Sequence, residues 1–187
     1  ATAYVKGGDA ALQEYRDRDQ PVSPRHEFSI LAAESPSLLD LVPEFRAYLL
    51  AFPRATLPRV ENFLYWSKEQ IAFHAVVSVT HVAVYTLPTS NPLTVAIASR
   101  QVYASRYFDA SLGMTAVFQT DGSNDRAAPF DLLYVNRSRT GELTGLWGGL
   151  KRAIVRTRTR AAMQKYLAIL KTRIEREFLQ RTAHDAP

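Results

Sequence analysis

TGLWGGLKRAIVRTRTRAAMQKYLAILKTRIEREFLQ, from Thr144 to Gln180, is the stretch on which the reading of the whole chain turns. A glycine-rich entry (Gly145, Gly148, Gly149) gives way to Leu150, Ile154, Met163, Leu167, Leu170, Ile174 and Phe178, with Tyr166 beside them. That spacing predicts one long amphipathic helix. Lys151, Arg152, Arg156, Arg158, Arg160, Lys165, Lys171, Arg173, Arg176 and Arg181 crowd the other side, against only Glu175 and Glu177. At 1.5 Å per residue, about thirty residues give a rod of roughly 45 Å, so the stripe needs a large apolar partner. The rotation that satisfies both sides turns Met163, Leu167, Leu170 and Ile174 toward that partner and Arg156, Arg160, Lys171 and Arg173 toward solvent.

The expected partner is the β-rich run that precedes it. Segments 60–67, 75–87, 93–108, 112–120 and 130–137 are rich in Val, Ile, Thr, Tyr and Phe and are separated by turn residues such as Pro88-Thr89-Ser90-Asn91-Pro92 and Asp121-Gly122-Ser123-Asn124-Asp125. Connections this short leave no room for crossover helices, which predicts antiparallel hairpins and argues against a doubly wound dinucleotide fold. Upstream, Tyr4-Val5 reads as a short strand, Gly7-Gly8 as a turn and 10–15 as a helix capped by Asp9. Ser23-Pro24 supplies an N-cap with Pro at the first helical position, and Glu27 completes a near capping box for a helix over 24–34. A second helix runs from Pro36 to Phe52, kinked or divided at Pro43; Pro53 and Pro58 bracket the connector to the sheet. The fold class expected is α+β: N-terminal helices over 1–58, an antiparallel sheet plus closing helix over 59–181, and a tail at 182–187.

The 187 residues, 47% apolar and 22% charged, fit one domain with one core. With no cysteine, disulfides and thiolate metal sites are excluded. No apolar run reaches the roughly eighteen residues of a membrane span. The chain opens on Ala1-Thr2-Ala3 without an initiator Met, which suggests a processed product and tilts the expectation toward export from a bacterial cell, periplasmic or secreted, over the cytoplasm. The net charge of +5 is divided: Arg137 to Arg181 holds twelve Lys/Arg against three Asp/Glu, a net of +9, and the remainder eleven against fifteen, a net of −4. Such a basic segment is either a solvated helix face or a surface for anionic lipid. Nucleic acid is the weaker partner, because no RNA-recognition or helix-turn-helix pattern is present.

The order of elements from Val60 to Arg176, together with the loop TGLWGGLKRAIV leading into Leu167, Leu170 and Ile174, resembles the helix-grip superfamily of START-type lipid-transfer domains, birch-pollen-allergen-like proteins and polyketide cyclases. The resemblance is architectural. It implies a sheet curved around the last helix and an apolar cavity between them, and hence a carrier or binder of hydrophobic ligands without a cofactor.

Candidate contacts follow from strand parity. Across 99–109, Ser99, Gln101, Tyr103, Ser105 and Tyr107 share one face, and Arg100, Val102, Ala104, Arg106 and Phe108 the other. Turning the second face inward desolvates two guanidinium groups, which costs several kcal/mol each unless each finds a carboxylate. That favours the Tyr and Ser face inside. His81, in the middle of an apolar strand, is expected as a packed, hydrogen-bonded core residue, with a cavity contact or a general base as the alternative. The histidines show no metal-ligand spacing, and no nucleophile elbow, phosphate loop or dinucleotide fingerprint occurs. The expected ligand wall is Trp66, His81, Gln101, Tyr103, Tyr107 and Met163. Three functions are open at this point: binding or transport of a lipid-like or polycyclic molecule; a cyclase or hydratase using His81 with Tyr103 or Tyr107; and attachment to an anionic membrane through the basic segment.

Overall fold

A computed structural model describes residues 1–16, 21–71, 74–88, 93–105, 108–119 and 130–140, and 164, 167–169, 171–173 and 175–176, apart from the side chains at 37, 38, 71 and 74. The chain divides into two compact units, Ala1–Gly141 and Glu142–Pro187. In the second unit the described residues, which begin at Gln164, are helical. There Leu167 is half-buried, Lys171, Arg173 and Arg176 are exposed, and Lys171 lies 3.8 Å from Glu175 one turn on. Most of the long helix expected from Thr144, with Trp147 and Met163, lies outside the described residues.

The first unit opens with α1 (Thr2–Gly7) and a 3-10 turn (Gly8–Ala11). Both depart from the strand and helix expected there. Residues 12–16 are not helical; Tyr15 instead forms a two-residue bridge with Val22. Tertiary contact overrides local propensity in this segment: Gly8 sits at φ 59°, and a Cβ there would fall 2.3 Å from the Phe52 carbonyl oxygen, so the backbone approaches closer than any side chain allows. Helix α2 (Pro24–Ala33) starts as expected, with Ser23 Oγ accepting from the His26 amide at 3.4 Å and Pro24 in the first turn. Glu27 does not close the capping box; it meets Arg139 Nε at 2.8 Å. The next helix is divided, not kinked, into α3 (Pro36–Leu39) and α4 (Pro43–Ala51).

Five antiparallel strands follow in meander order: β1 (Val60–Ile71), β2 (His74–Thr86), β3 (Leu93–Ala104), β4 (Ala110–Gln119) and β5 (Phe130–Arg139). The domain class is α+β, and the sheet is open. Strand β3 ends at Ala104, four residues short of the expected limit.

One face of the sheet is sealed by the helices. Phe28, Leu31, Ala32, Leu39, Val42, Phe45, Tyr48 and Leu49 pack on Ala83, Tyr85, Ala96, Ala98, Ala110, Leu112, Met114 and Ala116. The sheet side of this core is mostly alanine, which lets the aromatic rings of α4 come close to the strands; Phe45 reaches Tyr85 with ring centroids 5.6 Å apart. At the β5 end Arg139 holds α2 through Glu27 and Glu34, and Arg137 donates to Ser35 Oγ. In register, this face runs across the sheet as Leu64, His81, Arg100, Leu112 and Arg137.

Candidate functional site

The opposite face receives none of the core residues of α2 to α4. Pairing brings onto it, from β1 to β5, one row of Glu61, Val84, Ile97, Thr115 and Tyr134 and a second of Phe63, Val82, Ser99, Gly113 and Asn136. Tyr65, Thr80 and Gln101 start a third row. The centre of this face is apolar or small, and its β1 margin is aromatic, with Phe63 52% and Tyr65 46% exposed. Gly113 leaves room for its neighbours on this face: a Cβ there would meet Asn136 Nδ2 at 3.3 Å, the Tyr134 hydroxyl at 3.4 Å and Ser99 Cβ at 3.6 Å, so these side chains close over the glycine. Glycine inside a strand weakens it, and one such position marks a place where something else approaches the backbone. On the same face, Gln101 Nε2 is buried with no hydrogen-bond partner among the described residues. A buried amide left unpaired costs about 1–3 kcal/mol, which a ligand acceptor would relieve.

The sealed face carries the polar chemistry. His81, 3% exposed, is bonded through both ring nitrogens. Its Nε2–H donates to Asn62 Oδ1 at 2.9 Å, so Nδ1 accepts from the Tyr4 hydroxyl, also at 2.9 Å. Burial, and then the Arg100 charge, lower the imidazole to about 4, leaving it neutral at physiological pH. Burial likewise pushes the Tyr4 phenol up to about 12. Phe52 closes the group, its ring 4.3 Å from that of His81.

Arg100 lies next to His81 in register and is 3% exposed. Its guanidinium sits 3.5 Å from the Phe28 ring centroid, a cation–π contact, and its Nη2 is 2.6 Å from Asp9 Oδ1. That ion contact is close but poorly aligned as a hydrogen bond, and Arg100 Nε and Nη2 and Asp9 Oδ1 have none. The expectation that the arginine face turns outward is therefore corrected. Arg100 is buried because it finds the one partner that makes burial tolerable, a carboxylate, supplied by the 3-10 turn of the first residues.

The parity expected over 99–105 also breaks. A bulge between Val79 and Thr80 pairs Thr80 with Gln101 but Val79 with Tyr103, so Val102 is the extra residue. Gln101 keeps the open face; Tyr103 moves to the face of His81, 42% exposed and edge-on to Tyr15 with centroids 5.8 Å apart. Trp66, on the same side by pairing with Val79, is 71% exposed. Of the six residues expected to form one wall, Gln101 alone stands on the open face; Trp66, His81 and Tyr103 belong to the other; Tyr107 and Met163 lie outside the described residues. Of the residues on the open face, the aromatics Phe63, Tyr65 and Tyr134 are legible in the sequence as candidates for an apolar wall or for ordinary core packing, and Gly113 is the one sequence reasoning missed. Gly113 was the available signal, an isolated glycine within a strand pattern.

Among the described residues no three His, Asp or Glu side chains converge as a metal site, and no helix is long and apolar enough to cross a membrane. Set against protein-family models, curated proteins and solved structures, the chain matches none, and the site rests on its own geometry.

Proposed function

We propose that the protein binds or carries a hydrophobic small molecule, lipid-like or polycyclic, on the open face of its sheet. The observation that carries this reading is the pairing on one face of exposed aromatic surface, Phe63 and Tyr65 on β1, with a buried amide, Gln101 Nε2, that has no hydrogen-bond partner among the described residues. An apolar surface with a single orienting polar group is the usual composition of a site for such molecules. The helix-grip arrangement belongs to the same proposal, with the amphipathic segment from Leu150 to Phe178 as the closing helix.

Titration with a fluorescent fatty acid and a fluorescent sterol analogue tests it. Saturable binding that is weakened in Phe63→Ala, with the circular dichroism spectrum unchanged, is the expected result. No saturable binding of either probe ends the proposal. A cyclase or hydratase gains nothing from this geometry, because His81 lies on the sealed face with both nitrogens engaged. Attachment to anionic membrane is a separate outcome: retention on anionic vesicles that falls steeply with salt, where uptake of an apolar ligand does not.

A further inference from the structure

Strand β1 is the edge of the sheet, paired only with β2 among the described residues. Its register fixes which groups are free. Thr86 N–H donates to the Arg59 carbonyl, so odd-numbered residues of β1 turn their amides and carbonyls toward β2 and even-numbered residues turn theirs outward. Val60, Asn62, Leu64, Trp66, Lys68 and Gln70 thus present a twelve-residue strand's worth of unpaired backbone, flanked by the exposed Phe63, Tyr65 and Trp66. Long, flat apolar edges are ordinarily blunted by Pro, charge or a bulge. From Asn62 to Trp66 this one carries none of them.

We propose that β1 is a self-pairing edge that joins two copies of this chain antiparallel about a two-fold axis at Leu64. A two-fold axis normal to the sheet pairs only residues of equal parity, which leaves a small set of registers. The register centred on Leu64 pairs Phe63 with Tyr65 of the second copy twice, and sets Asn62 opposite Trp66 and Val60 opposite Lys68. It also brings Arg59 opposite Glu69 at both ends. Centring on Tyr65 instead opposes Glu61 to Glu69, two like charges, at both ends. Aromatic pairs and opposite charges each stabilise a cross-strand site by about 0.2–1 kcal/mol, and like charges do the reverse. The Leu64 register is thus the self-complementary one, and its central pair, Leu64 with Leu64, is the outward-facing, hydrogen-bonding kind. This interface does not depend on the ligand proposed for the open face.

Sedimentation of the full chain over a range of concentrations should show a monomer–dimer equilibrium. Leu64→Pro removes an outward N–H that bonds nothing among the described residues, and should leave a monomer at every concentration. Arg59→Glu should weaken dimerisation about tenfold, two attractive pairs becoming repulsive, and adding Glu69→Arg should restore it; this pair decides the matter should Leu64→Pro fail to fold. Because the chain has no cysteine, disulfide trapping reads the register directly. Phe63→Cys mixed with Tyr65→Cys should cross-link under mild oxidation, since a non-hydrogen-bonded pair sits about 4.5 Å apart, within disulfide reach; neither variant alone should. A monomer at all concentrations, a dimer that survives the β1 variants, or Phe63→Cys linking to itself as readily as to Tyr65→Cys overturns the proposal.

Discussion

The two faces of the sheet are built from the same five strands and differ in what their polar groups have been given. On the sealed face the demanding groups draw on the rest of the chain: His81 is bonded to Tyr4 and Asn62 and Arg139 to Glu27 and Glu34, while Arg100 meets Asp9 and the Phe28 ring with its Nε and Nη2 left without a hydrogen bond. On the open face the aromatics are half in water and Gln101 Nε2 has none. The first face is packed against the helices; the second carries exposed aromatic surface along its β1 margin. Under the proposed function, folding energy and binding capacity sit on opposite sides of one backbone layer only a few ångströms thick.

The sharpest way to test that division is to truncate equivalent aromatics on either side. Phe45→Ala, at a fully buried ring, should lower unfolding free energy by about 3–5 kcal/mol in urea titration and leave ligand affinity of the surviving folded fraction unchanged. The pH dependence of stability comes next in size. His81 titrates near 4 when folded and at the ordinary 6.5 when unfolded, so its contribution is complete above 6.5 and is lost as pH falls, the unfolded chain taking up the proton first. The loss reaches about 3 kcal/mol by pH 4, and chemical denaturation of His81→Gln at several pH values should show that part of the slope flattened.

Asp9→Asn leaves the Arg100 charge without its carboxylate. Because Asp9 is a quarter exposed, the cost should be about 1–3 kcal/mol, below that of a fully buried pair; the double change Arg100→Met with Asp9→Leu should recover most of it. The smallest stability effect belongs to the open face. Phe63→Ala should change unfolding free energy by no more than about 0.5 kcal/mol, yet weaken probe binding by about tenfold, the equivalent of losing half a buried ring. If Phe63→Ala instead destabilises as Phe45→Ala does, the two faces are not divided in this way.

What could be read from sequence was whatever depends on neighbours along the chain. The antiparallel meander followed from strand composition and short turns, the start of α2 from Ser23-Pro24, and the break at Pro43 from its fixed geometry. What could not be read depends on contacts distant in sequence or on one backbone irregularity. Nothing local says that Asp9 will meet Arg100, so a desolvation argument about Arg100 that was correct in its physics gave the wrong side. The bulge at Val102 did the rest, since an alternation rule fails on one face as soon as a single residue is inserted. The first sixteen residues misled for the same reason: Tyr4-Val5 has strand propensity, but the docking of Gly8 against Phe52 decides its conformation.

The alanines beneath the helices set a limit on how this scaffold can diversify. Ala83, Ala96, Ala98, Ala110 and Ala116 are all buried where the strands meet the aromatic rings of the helical layer. Any larger residue at these positions acts as a wedge, costing about 1–3 kcal/mol in displaced side chains. Descendants of this sequence that acquire a new ligand preference therefore have one canvas, the side holding Gly113, and the alanine ladder will stay nearly invariant while that side drifts.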